Sequence, residues 1–395
     1  MNSALNVTCT FVRLRTATAG IVATVAIVAI AAWPYVRVAS FVVRAVGRGG
    51  WLDQGARAIT VPVLETSETI PTRYGPVRGR LYRPTGRPDR TALLVSGMHG
   101  AGIDEPRLIR LAREVAATGW GIVTPELSDL IAYRMTPRAT DIIEDAGVWL
   151  AGRHELVPDG RIGLLGISFA GGLSIVAAGR ASLREHTRFV FSFGGHGDLP
   201  RVLRYLCTGI EPDIDGERHK RPAHDYGLAI VTSGLADRLV PPDQVEPFRH
   251  SVGTFLKASG LALVNTHQAE MIFAQARELE RGLPQPAETL MHYVNERNVS
   301  ALGNRLLPYL DGFGNDPSLS PDRSAPPNAA VFLLHGTEDN VIPAVETRLL
   351  GRWLQDKTPV RVLFSNPITH VNVTGHATLA DYWGLISFWR ALLAE

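Results

Sequence analysis

Three residues of this sequence have types and spacing suited to nucleophilic catalysis. Ser168 lies in GISFAGG (residues 166–172), directly after the apolar run RIGLL and between small residues. Asp339 follows the apolar run AAVFLLHG, and His370 follows VRVLFSN. A serine hydroxyl is a weak nucleophile at neutral pH, so it needs a histidine base that a carboxylate orients. The chain order serine, acid, histidine therefore predicts an acyl-transfer triad of Ser168, Asp339 and His370.

Each of these assignments has an alternative. A turn serine is the other interpretation of Ser168. His376, in VTGHATL, competes with His370 but lies beside the start of the last predicted helix. Asp198 follows another predicted strand and is the alternative acid. Asp237, in SGLADRLVPP, resembles the acid loop but lacks the strand and the histidine that follow Asp339.

Alternating strand and helix patterns must position these residues. From Thr91 onward, continuous apolar runs such as TALLVSG alternate with helical patterns such as DEPRLIRLAREVAATG. Repeated strand, helix, strand crossovers predict a mostly parallel sheet with helices on both faces. Gly166 permits a sharp turn from strand to helix, which exposes the Ser168 hydroxyl at a helix N-terminus. The helix dipole there favours developing negative charge.

The alternation stops near Gly195 and resumes only at residues 329–336. The stretch between them contains long helical patterns and is too long to be a loop, so it predicts a helical insertion. We therefore divide the chain into four parts. They are an N-terminal segment (1–50), a first part of an α/β core (51–197), a helical cap insertion (198–328) and a second part of the core (329–395).

The motifs resemble those of a known family. GISFAGG, HGTEDNVIP and ITH stand in the places that the α/β-hydrolase superfamily uses for its triad, and the resemblance covers the chain from about residue 60 except the insertion. Within the superfamily the chain is most similar to esterases, lipases and dienelactone hydrolases. The resemblance implies an α/β-hydrolase fold, hydrolysis of carboxylic esters, and no metal or organic cofactor. An acyltransferase, a peptidase and a non-catalytic scaffold with this fold are the alternatives.

The resemblance also implies an oxyanion hole. The backbone N–H groups of Phe169 and of Met98, in SGMHGAG, are the expected donors, with His99 as the next choice. Ser96-Gly97 stands where members of the family often carry His-Gly. We expect His99 and His196 either to line the substrate pocket or to make structural hydrogen bonds.

The N-terminal residues predict attachment to a membrane. Residues 17–35 form an uncharged run of about 19 residues, which is close to the length that spans a bilayer as a helix. Arg37, Arg44 and Arg48 then share one helical face opposite apolar residues, which predicts an interfacial helix. A single-pass anchor in the cell membrane is the expected arrangement. A cleaved signal peptide and a buried core helix are the alternatives.

Composition argues against several other classes. A net charge of +2 over 395 residues, without a basic stripe, gives no basis for binding nucleic acid. Cys9 and Cys207 are too few for a disulfide framework or a thiolate zinc site. The expected partners are a small-molecule or lipid-like ester substrate and, through the N-terminal segment, a membrane.

Overall fold

The computed structural model describes residues 27–28, 31–45, 51–212, 214–262, 264–366 and 378–395. Its strands are β1 (Val63–Ile70), β2 (Val77–Pro84), β3 (Thr91–Val95), β4 (Gly121–Pro125), β5 (Ile162–Ile167), β6 (Thr187–Phe193), β7 (Ile210–Pro212), β8 (Arg218–Lys220), β9 (Ala330–Gly336) and β10 (Val360–Ser365). Its helices are α1 (residues 31–45), α2 (Trp51–Arg57), α3 (Pro106–Ala116), α4 (Ser128–Ile131), α5 (Pro137–Ala151), α6 (Phe169–Gly179), α7 (Ala181–Arg184), α8 (Leu199–Thr208), α9 (Asp225–Gly234), α10 (Ala236–Leu239), α11 (Val245–Ala262), α12 (Thr266–Arg281), α13 (Ala287–Asn295), α14 (Val299–Leu306), α15 (Val345–Leu354) and α16 (Leu379–Ala394).

The predicted mostly parallel sheet is confirmed. In the described part of the chain, eight strands form one sheet in the order β1-β2-β4-β3-β5-β6-β9-β10. β2 is antiparallel to both β1 and β4. The other strands of this sheet run parallel to one another; they are β4, β3, β5, β6, β9 and β10. With helices on its faces, this sheet is the α/β-hydrolase fold that the motifs predict.

The strand order reverses at β3. The chain runs from β3 to β4 on one side and then crosses to β5 on the other, so β3 and β5 are neighbours in the sheet. Ligands of open α/β sheets bind at the carboxyl ends of the strands, where the order reverses. The loops that follow β3 and β5 carry Met98 and Ser168.

Two apolar cores cover the two faces of the sheet. Neighbouring side chains of a strand point to opposite faces. Leu93 of β3 accordingly packs with Ile142 and Leu173 of the helices on one face, while Leu94 packs with Phe191 and Trp389 on the other. All six are buried, as the continuous apolar runs of the central strands predict.

The residues between β6 and β9 are mainly helical, from α8 to α14, apart from the short hairpin of β7 and β8. We call residues 198–328 the cap. Its buried side chains, among them Phe248 and Phe255, join the same apolar core as helices α5 and α6. The cap also reaches the loop after β3, where a Cβ on Gly260 of α11 would lie 2.8 Å from His99 Nε2.

Helix α1 differs from the interfacial helix that the arginine spacing predicts. Val38 and Phe41 are buried in the core, and the Phe41 ring lies 4.7 Å from that of Trp389 in α16. Arg44 is 3% exposed and forms an ion pair with Glu114 of α3. The prediction that Arg44 faces a membrane surface is therefore wrong. Its guanidinium binds the buried carboxylate of Glu114 instead of a lipid phosphate.

The described residues contain no helix that is both long and apolar enough to span a bilayer. Of the apolar run 17–35, only residues 27–28 and 31–35 lie within the described ranges. Arg48 lies outside them.

Candidate active site

Ser168 occupies the turn between β5 and α6. Its backbone has φ 55° and ψ −132°. Residues other than glycine rarely adopt a positive φ. A Cβ on Gly166 would overlap the carbonyl oxygen of Ala170, so the turn requires glycine at that position. The Ser168 N–H donates to the Phe193 carbonyl at 2.7 Å, which fixes the turn to the end of β6. The half-buried serine is thus held in a strained turn at the start of a helix.

The loop after β3 lies directly against this serine. We call residues 96–101 the β3 loop. A Cβ on Gly97 would lie 3.0 Å from the Ser168 Cβ and 3.1 Å from the Ile167 carbonyl oxygen. The next N–H, that of Met98, has no hydrogen-bond acceptor in the described part of the chain.

Phe169 is the first residue of α6, where a backbone N–H has no partner within its helix. The two N–H groups predicted for the oxyanion hole thus belong to the residue after Ser168 and to the loop beside it.

Asp339 lies in the loop that follows β9. Its side chain is 1% exposed, and its Oδ1 accepts the N–H groups of Val341 at 2.9 Å and Ile342 at 3.0 Å. These two hydrogen bonds hold the carboxylate to its own loop. Its other oxygen, Oδ2, lies 3.5 Å from the position that a Cβ on Gly194 would take.

The end of β6 contacts both Ser168 and Asp339. Phe193 accepts the Ser168 N–H, and Gly194, which follows it, borders Asp339. Gly194 has φ +62° and donates its N–H to the Leu334 carbonyl of β9 at 2.8 Å. The nucleophile and the acid predicted from the sequence therefore lie on either side of one strand end, at the carboxyl edge of the sheet.

Both candidate histidines, His370 and His376, fall in residues 367–377, outside the described residues. The choice between them stays a prediction.

The two alternative acids make other contacts. Asp198 caps α8 by accepting the Arg201 N–H at 2.7 Å, and its second oxygen binds Arg323 at 2.6 Å. Asp237 is exposed and pairs with Arg249 at 2.5 Å. Both carboxylates have structural partners, and neither borders Ser168.

His99 and His196 lie in different surroundings. His99 is half-buried in a cavity wall, and its Nδ1 accepts the Ala101 N–H at 3.2 Å. Burial lowers the pKa of His99, although the Glu105 carboxylate acts in the opposite direction. His196 is fully buried behind Phe169, with the two rings stacked 4.9 Å apart, and its Nε2 bonds the Leu319 carbonyl at 2.7 Å. Burial also lowers the pKa of His196.

A cavity of about 1080 Å³ opens in front of Ser168. Ser168, Met98, His99 and Phe169 line it, together with many apolar side chains of the cap, but His196 is not part of its wall. Its dimensions and mostly apolar walls suit a small organic ligand. The predicted site residues at the ends of β3 and β5 thus face one space beneath the cap.

The structure adds residues that the sequence did not indicate. His335 of β9 is fully buried, with Nδ1 2.6 Å from the Thr347 hydroxyl, and its Nε2 lies 2.9 Å from the Ile342 carbonyl and 3.4 Å from Asp339 Oδ2. Tyr226 of the cap donates a hydrogen bond to the Met98 carbonyl. His335 belongs to the His-Gly pair that directly precedes the acid loop. This pair is a weak indication that His335 lies at the site. Nothing near Tyr226 in the sequence relates it to the β3 loop.

Several solved structures are similar to this chain. An esterase from Pyrobaculum calidifontis is 15% identical, with a TM-score of 0.43 over 87% of this chain and 86% of its own. A dienelactone hydrolase from Anabaena variabilis is 13% identical, with a TM-score of 0.41 over 84% of this chain and 97% of its own. An acylaminoacyl peptidase from Pyrococcus horikoshii is 14% identical, with a TM-score of 0.44 over 88% of this chain and 43% of its own. No protein-family model and no curated protein matches the sequence.

Proposed function

We propose that this protein is a serine hydrolase that cleaves carboxylic esters through an acyl-enzyme. The observation that supports this most is the backbone of Ser168, which is held at φ 55° at the start of α6 and faces a cavity beside the β3 loop. A turn with no chemical role would be less strained with glycine or asparagine at this position. Strain of this kind is typical of functional sites.

The proposed reaction has two halves. The Ser168 Oγ attacks the ester carbonyl carbon while its proton passes to His370, and Asp339 orients the ring and stabilises the imidazolium. The N–H groups of Met98 and Phe169 bind the oxyanion of the tetrahedral intermediate. The C–O bond to the alcohol then breaks, and His370 returns the proton to that oxygen. Water, with His370 as base, attacks the acyl-enzyme and releases the acid and free Ser168.

We propose a small-molecule or lipid-like ester as the substrate. Apolar side chains from the core and the cap, such as Met135, Leu203 and Ile230, line the same cavity as Ser168. They favour an apolar acyl or alcohol group. The proposed steps need only nucleophilic attack and proton transfer, so they require neither a metal nor an organic cofactor.

Turnover of p-nitrophenyl esters of increasing acyl length tests this proposal. We expect Ser168→Ala to lower kcat by about a million-fold and Asp339→Asn by about ten thousand-fold. Ser174→Ala is the matched control, because Ser174 is buried in α6, the helix that follows Ser168, and its hydroxyl has no hydrogen-bond partner in the described residues. Full activity of Ser168→Ala would refute the proposed nucleophile.

The same assay assigns the base. We expect His370→Ala to abolish turnover and His376→Ala to retain most of it; the reverse pattern would transfer the role to His376. Products separate the alternatives, because an acyltransferase forms a new ester with an added alcohol and a peptidase releases an amine. A wild-type protein without turnover on any of these substrates would favour a scaffold.

We also propose that residues 17–35 attach the enzyme to a membrane. The uncharged composition of this run supports the proposal. Fractionation of the full chain between membranes and supernatant tests it, and recovery of the full chain only in the supernatant would contradict it.

A further inference from the structure

Two tyrosine hydroxyls hold the β3 loop from opposite sides. Tyr226, in the first turn of α9 of the cap, donates its O–H to the Met98 carbonyl at 2.8 Å. Tyr133, between α4 and α5, accepts the Gly100 N–H at 3.0 Å. The two rings meet edge to face, with centroids 6.4 Å apart and an interplanar angle of 83°. The core and the cap therefore contact the same short loop through neighbouring side chains.

These two hydrogen bonds restrict a loop that contains two glycines. Gly97 and Gly100 are both in the β3 loop, and glycine allows many backbone conformations. Because a peptide group is planar, fixing the Met98 carbonyl also fixes the peptide plane that follows it. Fixing the Gly100 N–H holds the next peptide plane, which joins His99 and Gly100. The orientation of Met98 relative to Ser168 thus depends on both tyrosines.

The backbone of Tyr133 is strained. Among the described residues, the non-glycine residues with positive φ are Tyr133 at 54°, Ser168 at 55° and Arg297 at 52°. Ser168 and Arg297 line the cavity, and Tyr133 bonds a loop that lines it. Strain of this kind persists where the surrounding structure requires it. Tyr133 is 6% exposed, and its conformation places its hydroxyl on the β3 loop.

Both hydroxyls are enclosed by protein. Burial raises the pKa of Tyr133 and raises that of Tyr226 well above its usual value. Both groups therefore keep their protons at neutral pH, so Tyr226 can act as a hydrogen-bond donor to Met98.

We propose that Tyr226 and Tyr133 are positioning residues for the oxyanion hole, and that the docked cap completes this hole through Tyr226. This inference rests on the proposed function, since it takes the Met98 N–H as an oxyanion donor. Neither tyrosine needs to touch the substrate. Both act by keeping the β3 loop in the orientation that the tetrahedral intermediate requires.

Phenylalanine variants remove each hydroxyl and keep the ring. We expect Tyr226→Phe to lower kcat for an ester by about tenfold or more, because a displaced oxyanion donor costs up to about 10²–10³ in kcat. KM should change by less than about twofold, since ground-state binding does not use this donor. Tyr133→Phe should act in the same direction. The double variant should lose less than the product of the two effects, because both hydroxyls hold one loop.

Tyr309→Phe is the matched control. Tyr309 is an exposed tyrosine of the cap whose backbone carbonyl, and not its hydroxyl, accepts a hydrogen bond from Arg238. It undergoes the same chemical change away from the β3 loop and should keep wild-type kcat.

Two further measurements separate positioning from a general structural role. Affinity for a trifluoromethyl ketone, which forms a tetrahedral adduct with a serine, should weaken in Tyr226→Phe in parallel with kcat/KM. Amide hydrogen exchange in the peptide that covers residues 96–101 should accelerate in both variants, while exchange in the central strands stays unchanged.

Wild-type kcat in Tyr226→Phe would overturn the inference, and an effect on KM alone would make Tyr226 a substrate contact instead. If the wild-type protein neither hydrolyses esters nor forms the ketone adduct, the proposed function fails. Hydrogen exchange still decides the inference in that case, because unchanged exchange of residues 96–101 in both variants would show that the tyrosines do not hold the loop.

Discussion

Asp339 and Asp198 show how one residue type is used in two ways in this protein. Asp339 binds the N–H groups of its own loop through one oxygen, and the other oxygen borders Gly194. Asp198 uses both oxygens, one to cap α8 and one to bind Arg323. These contacts support Asp339 over Asp198 as the proposed triad acid, because the Asp339 carboxylate is oriented by bonds that do not require a cationic partner.

His335 is a buried residue beside this acid, with its Nε2 3.4 Å from Asp339 Oδ2. Its ring bonds Thr347 of α15 and the Ile342 carbonyl, so it ties the acid loop to the following helix. A histidine inside a strand gives no indication of these contacts. They depend on how the loop folds back over β9.

A half-buried carboxylate in the cap predicts pH-dependent stability. Burial, with the charge of Asp198, raises the pKa of Asp322 to about 6. Because this value exceeds the usual value of an unfolded chain, the contribution of Asp322 to stability is present below about pH 4 and is lost as the pH rises through about 6. We expect Asp322→Asn to stabilise the protein by about 1 kcal/mol at pH 7.5 and not at pH 4.

Thermal unfolding at the two pH values measures this effect, with Asp356→Asn at an exposed position as the control. Loss of stability at pH 7.5 would show instead that attraction between Asp322 and Arg201 outweighs the cost of burial.

At the scale of elements, the site depends on the close approach of two loops. β3 and β5 are neighbours because the strand order reverses at β3. Their following loops meet where Gly97 faces Ser168. A side chain at position 97 would therefore require its neighbours to move by a few tenths of an ångström.

We therefore expect Gly97→Ala to lower kcat by about tenfold or more, because the added methyl group moves the β3 loop away from Ser168 and misplaces the Met98 N–H. Gly86→Ala is the control, since a Cβ there meets no atom within 4 Å. Steady-state kinetics on one ester measure both variants. Wild-type kcat in Gly97→Ala would show that the loop yields without affecting the reaction.

Local patterns were enough to predict the core elements. The strand expected in TALLVSG is Thr91–Val95, and the helix expected in DEPRLIRLAREVAATG is Pro106–Ala116. The spacing of apolar residues that indicates each element lies entirely within the sequence of that element. Contacts between distant residues could not be predicted in this way. Arg44 and Glu114 are 70 residues apart and Met98 and Tyr226 are 128 apart, and no local pattern encodes either pair.

At the scale of the whole molecule, α1 is part of the fold. It packs beside α3 and α16 on one face of the sheet, through Val38, Phe41 and Val42. Its Arg44 neutralises Glu114, which is 8% exposed. A membrane segment at residues 17–35, as proposed, would therefore lead directly into a helix that is bound to the catalytic core.

Two deletions test this arrangement. Removal of residues 1–26 keeps α1, so we expect a stable protein that no longer sediments with membranes. Removal of residues 1–50 exposes the core beneath α1 and leaves Glu114 without Arg44, which should cost several kcal/mol and lower Tm markedly. Thermal unfolding and membrane fractionation compare the two with the full chain. Equal Tm values would show that α1 does not contribute to the stability of the core.

Labelling with a fluorophosphonate tests the central claim most directly. The reagent bonds covalently to an activated serine, and peptide mass spectrometry locates the adduct. The proposed function predicts an adduct on Ser168 in the full-length protein, no adduct in Ser168→Ala, and an unchanged adduct in Ser174→Ala. Folded wild-type protein that stays unlabelled, or an adduct on a different serine, would contradict the claim that Ser168 is the nucleophile.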